Sequence, residues 1–413
     1  MRALPMIERA LMRGRRQASQ PATRATQGSS QSATRAACST RQSAAHAVRS
    51  ARQFAVRSMG ILIGFSLAVN GNALVVAQEV PEGAWTGPLT AQWEEDVGRS
   101  IVHPVQLHGD DLLVTTTDRR LVSLDLVSGK RNWRRRFKED ISVAPTIFSR
   151  SDGKQRVVLY HGRSDGGHLH CLDGDDGDDL WELPWRTRPV HVSGRKDRIW
   201  LLGQEGRLLC LSAEDGKELW YADGNGWGSP GFVHDGETLF VLERSDSLHA
   251  YRASSGDRLW SCHLAGLFSA PPALLDDDLH VVNTTGTLWR IDPRDGRILG
   301  TGQRVDHQLH APVASEGRIV TAATSGIIEA RDASGDGWSY ASGHALECLP
   351  VPAGPVILLG TSGGELLALR SDRGELAWSL HLDARFKVAP LVTDRYLVLA
   401  THNGELYVYH HGS

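Results

Sequence analysis

The chain has 413 residues, 41% hydrophobic and 23% charged, with a formal net charge of −3. That near-neutral figure hides an asymmetry. Residues 1–78 carry eleven Arg, no Lys and the single acid Glu8, about +10, which leaves about −13 for the remainder. An acidic body argues against nucleic-acid binding, which requires a basic surface. The five cysteines Cys38, Cys171, Cys210, Cys262 and Cys348 include no CxxC pair, so the chain carries no zinc-finger or thioredoxin-type motif.

Residues 1–58 are rich in Arg, Ser, Ala and Gln and lack periodic apolar positions, which predicts a disordered extension. Residues 59–77, MGILIGFSLAVNGNALVVA, follow Arg52 and Arg57 and end on small residues before Gln78. A positive flank, an apolar run and a small-residue exit make a secretory signal. The Asn70-Gly71-Asn72 interruption makes a poor membrane span, although an uncleaved anchor and an organelle transit peptide stay open as alternatives. One explanation of the long upstream segment is a true start nearer Val48, Val56 or Met59, which N-terminal sequencing of the native protein would decide. Residues 79–90 read as a linker, with Trp85 outside any strand, and residues 91–413 as the exported folded domain.

That domain repeats one phrase. Residues 208–220 read LLCLSAEDGKELW: an apolar strand, a turn carrying Gly216, and a strand bearing Trp220. The phrase recurs at 121–133, 169–181, 248–260 and 366–378. Two copies are degraded: Gly300 stands where 288–300 should end in Trp, and 328–338 has lost a residue before Trp338. The turn glycines Gly129, Gly177, Gly216, Gly256, Gly296, Gly335 and Gly374 are spaced by 48, 39, 40, 40, 39 and 39. A period of about 40 without helical periodicity means a β-propeller.

Each unit also has a proline in or before an apolar strand: Pro104, Pro145, Pro189, Pro230, Pro271, Pro312, Pro350 and Pro390, eight in all. Proline donates no N–H and sits at a strand start or a sheet edge, so it marks the innermost strand. Four strands per unit give an all-β, eight-bladed β-propeller of four-stranded antiparallel blades. The structural tryptophans are Trp93, Trp133, Trp181, Trp220, Trp260, Trp338 and Trp378. Trp93 lies on phase, 40 residues before Trp133, and the last unit stops after residues 405–409 with no Trp strand. The N-terminal strand is therefore expected to close the last blade.

The recurring Gly-Lys-x-x-Trp phrase after a Leu-rich strand resembles the tryptophan-docking repeat of the pyrroloquinoline-quinone (PQQ) propeller superfamily, over residues 91–413. One branch of that superfamily, the quinoprotein dehydrogenases, holds PQQ and calcium and commonly carries an adjacent Cys-Cys pair and long insertions. Neither feature is present here. The layout is closer to BamB-like outer-membrane assembly propellers, which bind no cofactor, although the lipoprotein Cys of that branch is missing after Ala77. The resemblance implies a non-catalytic scaffold in the periplasm or cell envelope, monomeric, without cofactor, reaching the membrane only through protein partners. A PQQ-dependent oxidoreductase or a carbohydrate-binding propeller is the alternative.

No catalytic or metal-binding residues are assigned from spacing. Asp173 to Asp179 resembles a calcium loop, but an EF-hand needs a carboxylate at its twelfth position, where Pro184 stands; a solvated turn is expected. His161, His168, His170 and His191 read as a surface cluster without a fixed ligand set. The run from Arg134 to Lys138 reads as a solvated strand end or a contact for an acidic partner. Cys171 and Cys210 share a repeat position and are expected as buried thiols; a disulfide would need α-carbons within about 7 Å. The positions three before each Pro are expected to ring the channel mouth, partly exposed. From these, Arg186, Trp227, Phe268, Glu347 and Lys387 are the candidate partner-binding residues.

Overall fold

Proline and glycine punctuation delimits the blades. The computed structural model describes residues 66–70, 73–77, 85–87, 89–224, 229–243, 246–305, 307–308 and 310–411. The basic extension 1–58, the rest of the apolar stretch 59–78, and Trp227 lie outside the described residues. Within that apolar stretch Ser66–Asn70 pairs antiparallel with Ala73–Ala77.

The rest is a ring of eight four-stranded antiparallel blades with no helix among the described residues. Blade one runs Gln106–His108, Asp111–Thr116, Arg120–Asp125 and Arg131–Arg136 from the axis outward. Blade two runs Thr146–Ser149, Gln155–Arg163, Gly166–Asp173 and Asp179–Trp185. The first strands of successive blades neighbour one another around the axis, and the marker prolines stand at or just before them. Second strands such as Val356–Gly360 (VILLG) are buried on both faces. Each blade is sandwiched between two others, so its middle strands read as continuous apolar runs rather than alternating ones.

The tryptophans dock blade to blade. Trp93 lies over Gly129, Trp133 over Gly177, Trp220 over Gly256, Trp260 over Gly296 and Trp338 over Gly374. Trp181 reaches Gly216 in the same way. Their indole N–H groups donate to carbonyls of the same turns: Trp93 to Leu126 at 2.8 Å, Trp260 to Pro293 at 2.9 Å and Trp338 to Ser371 at 2.9 Å. A buried indole keeps its hydrogen bond while its rings fill the wedge between sheets.

A one-residue bulge between the third and outer strands recurs at Ser123/Leu124, Cys171/Leu172, Cys210/Leu211, Ala250/Tyr251, Arg290/Ile291 and Ala368/Leu369. Blade six alone pairs Ile327–Arg331 with Gly337–Ala341 in unbroken register. The residue lost before Trp338 is therefore the bulge residue. In blade eight the outer strand is N-terminal: Leu89–Asp96 pairs with Glu405–His411, with Trp93 opposite Val408, and closes the ring.

Candidate partner-binding cleft and loop face

The two degraded repeats face each other. Gly300 removes the docking indole of blade five, and the turn of blade six it should cover carries Gly335. A Cβ placed on either Gly300 or Gly335 meets nothing within 4 Å. Gly335 is exposed, whereas the equivalent Gly296 is buried. The vacated dock opens a cleft of about 400 Å³ between blades five and six, in the size range of ligand pockets. Leu288, Leu299 and Ile319 supply its apolar wall, and Asp332 to Gly335 its far edge.

Its polar wall is under-satisfied. Asp278 pairs with Arg290 at 3.5 Å. His280 Nδ1 and Arg304 Nε, by contrast, are buried with no hydrogen-bond partner among the described residues. Burial, and then the charges of Arg290 and Arg304, push His280 down to about 4, so its imidazole is neutral at pH 7. Buried polar atoms without partners are costly in isolation, and here they border a cleft.

The loops leading into each blade open on one face of the ring. Arg186, Glu347 and Lys387 are exposed there, together with Val102 at 40% and Leu267 at 58%. Phe268 corrects the expectation of a partly exposed channel-mouth residue: it is 1% exposed and packs with Leu264 and Trp289. The Pro271-Pro272 pair causes the miscount. Counted from Pro272, Phe268 falls into register with the buried Leu346 and Phe386, four residues before Pro350 and Pro390, and Ser269 takes the exposed position.

The other sequence candidates are placed as follows. Asp173 to Asp178 forms the expected hairpin turn, and Asp179 starts the outer strand. Arg134, Arg136 and Lys138 are exposed; Arg135 is committed to the Gly177 carbonyl and the Asp179 carboxylate, and Phe137 is buried. The described cysteines are all free and buried. The histidines are not a surface cluster: His161 and His170 are 4% and 3% exposed and meet at 3.0 Å, because antiparallel register aligns two adjacent strands. Burial, and then His170 and His168, push His161 down to about 4. His191 lies apart, stacked on Phe232 at 4.3 Å.

Fold and docking pattern together define an eight-bladed propeller of the tryptophan-docking class. A family model described as outer membrane protein assembly factor BamB matches residues 88–204, 204–342 and 324–412, and the chain belongs to that family. The structure of BamB from Moraxella catarrhalis is similar with a TM-score of 0.67 at 16% identity, covering 78% of this chain and 100% of that one. Quinohemoprotein alcohol dehydrogenase from Comamonas testosteroni is similar with a TM-score of 0.62 at 13% identity, covering 78% and 76%. At these identities the likeness is one of fold. A quinoprotein ethanol dehydrogenase from Pseudomonas aeruginosa is 32% identical over 90 residues, a segment that spans 19% of this chain and only 14% of that enzyme.

Proposed function

We propose that the chain is an exported, non-catalytic propeller scaffold that binds protein partners in the cell envelope, in the outer-membrane assembly setting for which its family is described. The observation that carries this reading is the vacated indole dock between blades five and six. Its geometry suits an aromatic side chain from a partner segment, laid over Gly335 against Leu288 and Ile319. Backbone carbonyls of that segment would satisfy Arg304 Nε and, through its other tautomer, His280. Arg186, Glu347 and Lys387 on the loop face offer charged contacts to the partner.

The test fills the dock from within. Gly300→Trp supplies the missing indole, and a photo-reactive side chain placed at Ser334 reports what lies over the cleft in an envelope fraction. The expected result is a discrete crosslinked partner in the parent background and a loss of at least tenfold with Gly300→Trp. Undiminished crosslinking with Gly300→Trp would overturn the cleft as the partner site. Crosslinking that never exceeds that of a probe on the exposed outer-strand Leu219 would overturn the scaffold reading.

The segment shared with the ethanol dehydrogenase favours a second reading, a PQQ-dependent oxidoreductase. The cysteines weigh against it: the adjacent Cys-Cys pair common in that branch has no counterpart in the sequence, and Cys171, Cys210, Cys262 and Cys348 are each buried without a disulfide. Saturable binding of PQQ with calcium, together with alcohol-dependent dye reduction, would establish that reading in place of the first.

A further inference from the structure

The face of blade two that packs on blade one is polar near its outer rim. Antiparallel register sets His161 opposite His168 and His170 opposite Glu182, so these side chains project from one face. In blade three the residue at the repeat position of His170 is Leu209, so the fold does not require a polar group there.

His161 Nε2 and His170 Nε2 stand 3.0 Å apart and are both buried. Two imidazole nitrogens bound to one tetrahedral ion at about 2.0–2.1 Å lie roughly 3.3 Å apart, close to the observed separation. His170 gives its Nδ1–H to Asp179 Oδ1 at 2.8 Å, and Arg135 holds the other Asp179 oxygen. That fixes the tautomer: the His170 Nε2 lone pair points toward His161. A carboxylate behind an imidazole is the support that metal-ligating histidines use.

The remaining donors lie on the solvent side. Glu182 Oε1 is 3.8 Å from His170 Nε2 and 2.6 Å from His168 Nδ1. That last pair is close but not aligned as a hydrogen bond, since His168 Nδ1 has no hydrogen-bond partner. The closest ligand atoms of His170, Asp179 and Glu182 lie within 4.8 Å of one another. His168 stacks on His161 at 5.4 Å, and Phe137 covers His161 and His170 from blade one at 5.3 and 5.4 Å. The Glu182 and His168 side chains are 46% and 44% exposed, so the group borders solvent on this side.

We propose that His161 and His170, through Nε2, with Glu182 and His168, form a site for one divalent transition-metal ion of the zinc type, with Asp179 positioning His170. Three imidazoles and one carboxylate suit zinc and its first-row neighbours, not calcium or magnesium, which take oxygen ligands. The ion would bridge the three outer strands of blade two where they abut blade one.

Untagged full-length protein stripped with EDTA is titrated with zinc chloride by calorimetry, and with cobalt(II) by visible absorption. One equivalent of zinc, intense four-coordinate cobalt bands and a zinc-dependent rise in thermal midpoint are expected. Glu182→Gln and His168→Gln alter half-exposed groups and should leave the midpoint in EDTA unchanged while each weakens zinc binding at least tenfold. His161→Gln should abolish the cobalt bands. Absence of saturable binding at one equivalent would overturn the proposal. So would a Glu182→Gln, His168→Gln double variant that binds zinc as tightly as the parent.

Discussion

The indole N–H of Trp378 donates to the backbone carbonyl of Trp85 at 2.6 Å, across 293 positions of sequence. Blade eight has no hairpin turn between its third and outer strands, because its outer strand comes from the N-terminus. The segment at Trp85 supplies the carbonyl that such a turn supplies to the other docking tryptophans. Trp85 is itself fully buried and meets His411 edge-on at 5.3 Å. Trp85 lies outside any strand as expected, but its burial corrects the reading of its segment as a linker that packs on nothing.

Trp85→Ala should destabilise the ring about as much as Trp93→Ala, each by roughly 3–5 kcal/mol, the range for truncating a buried aromatic side chain. Removing residues 89–98 should leave Glu405–His411 as an open edge and prevent recovery of soluble protein. Urea unfolding followed by tryptophan fluorescence measures the first two. A Trp85→Ala protein with the parent midpoint would contradict the docking role.

Two alanine substitutions separate the dock from the turn. Gly296 and Gly335 have φ of +75° and +92°, where an L-residue is strained by about 1–2 kcal/mol. A Cβ on Gly296 would stand 2.5 Å from Trp260 Cε3, and one on Gly335 meets nothing. Gly296→Ala should therefore cost roughly 1–3 kcal/mol more than Gly335→Ala, the overpacking increment. Equal losses in paired denaturant melts would mean that Trp260 moves aside without cost.

Acid should begin to weaken the ring above the ordinary carboxylate range. Burial, and then the charge of His234, pushes His191 from 6.5 to about 3; burial, and then Arg195, pushes His234 to about 4. Above pH 6.5 both states hold neutral imidazoles and stability is level. Between pH 6.5 and about 4 the unfolded chain gains protons that the folded chain refuses, so stability falls by about 1.4 kcal/mol per pH unit per histidine. His234→Gln, which can keep the bond to Ser193, should recover roughly 2 kcal/mol of the loss between pH 7.5 and 5.0. An unchanged slope in that variant would remove His234 from the account.

In native protein the four ring cysteines, Cys171, Cys210, Cys262 and Cys348, should be inert to thiol reagents. Burial pushes Cys171, Cys210 and Cys348 up to about 12, so the reactive thiolate is scarce as well as shielded. Labelling at neutral pH should proceed only as fast as unfolding, and faster labelling would reveal local opening between blades.

Blade number and ring closure were legible because their signals are local and periodic: a turn glycine, a tryptophan four residues on, and a proline at the axis. Gly300 and the residue missing before Trp338 were visible as separate defects. That they share one interface follows only from the ring, which sets each outer strand against the next blade's turn. Phe268 was misplaced because Pro271 and Pro272 give two origins for one count. His161 was legible as a histidine but not as a neighbour of His170, since strand register is tertiary information that spacing along one strand does not contain.

Closure by Leu89–Asp96 also sets the order of folding. Its partner Glu405–His411 is the last strand of the ring in chain order, so the first strand waits unpaired until almost the whole ring sequence is available to fold. Contacts of such long range slow folding and leave edges open in the interval. Two chains meeting in that interval can exchange their closing strands, each completing the other's eighth blade with native hydrogen bonds. Strand-exchanged dimers are thus the natural by-product of this architecture at high chain concentration.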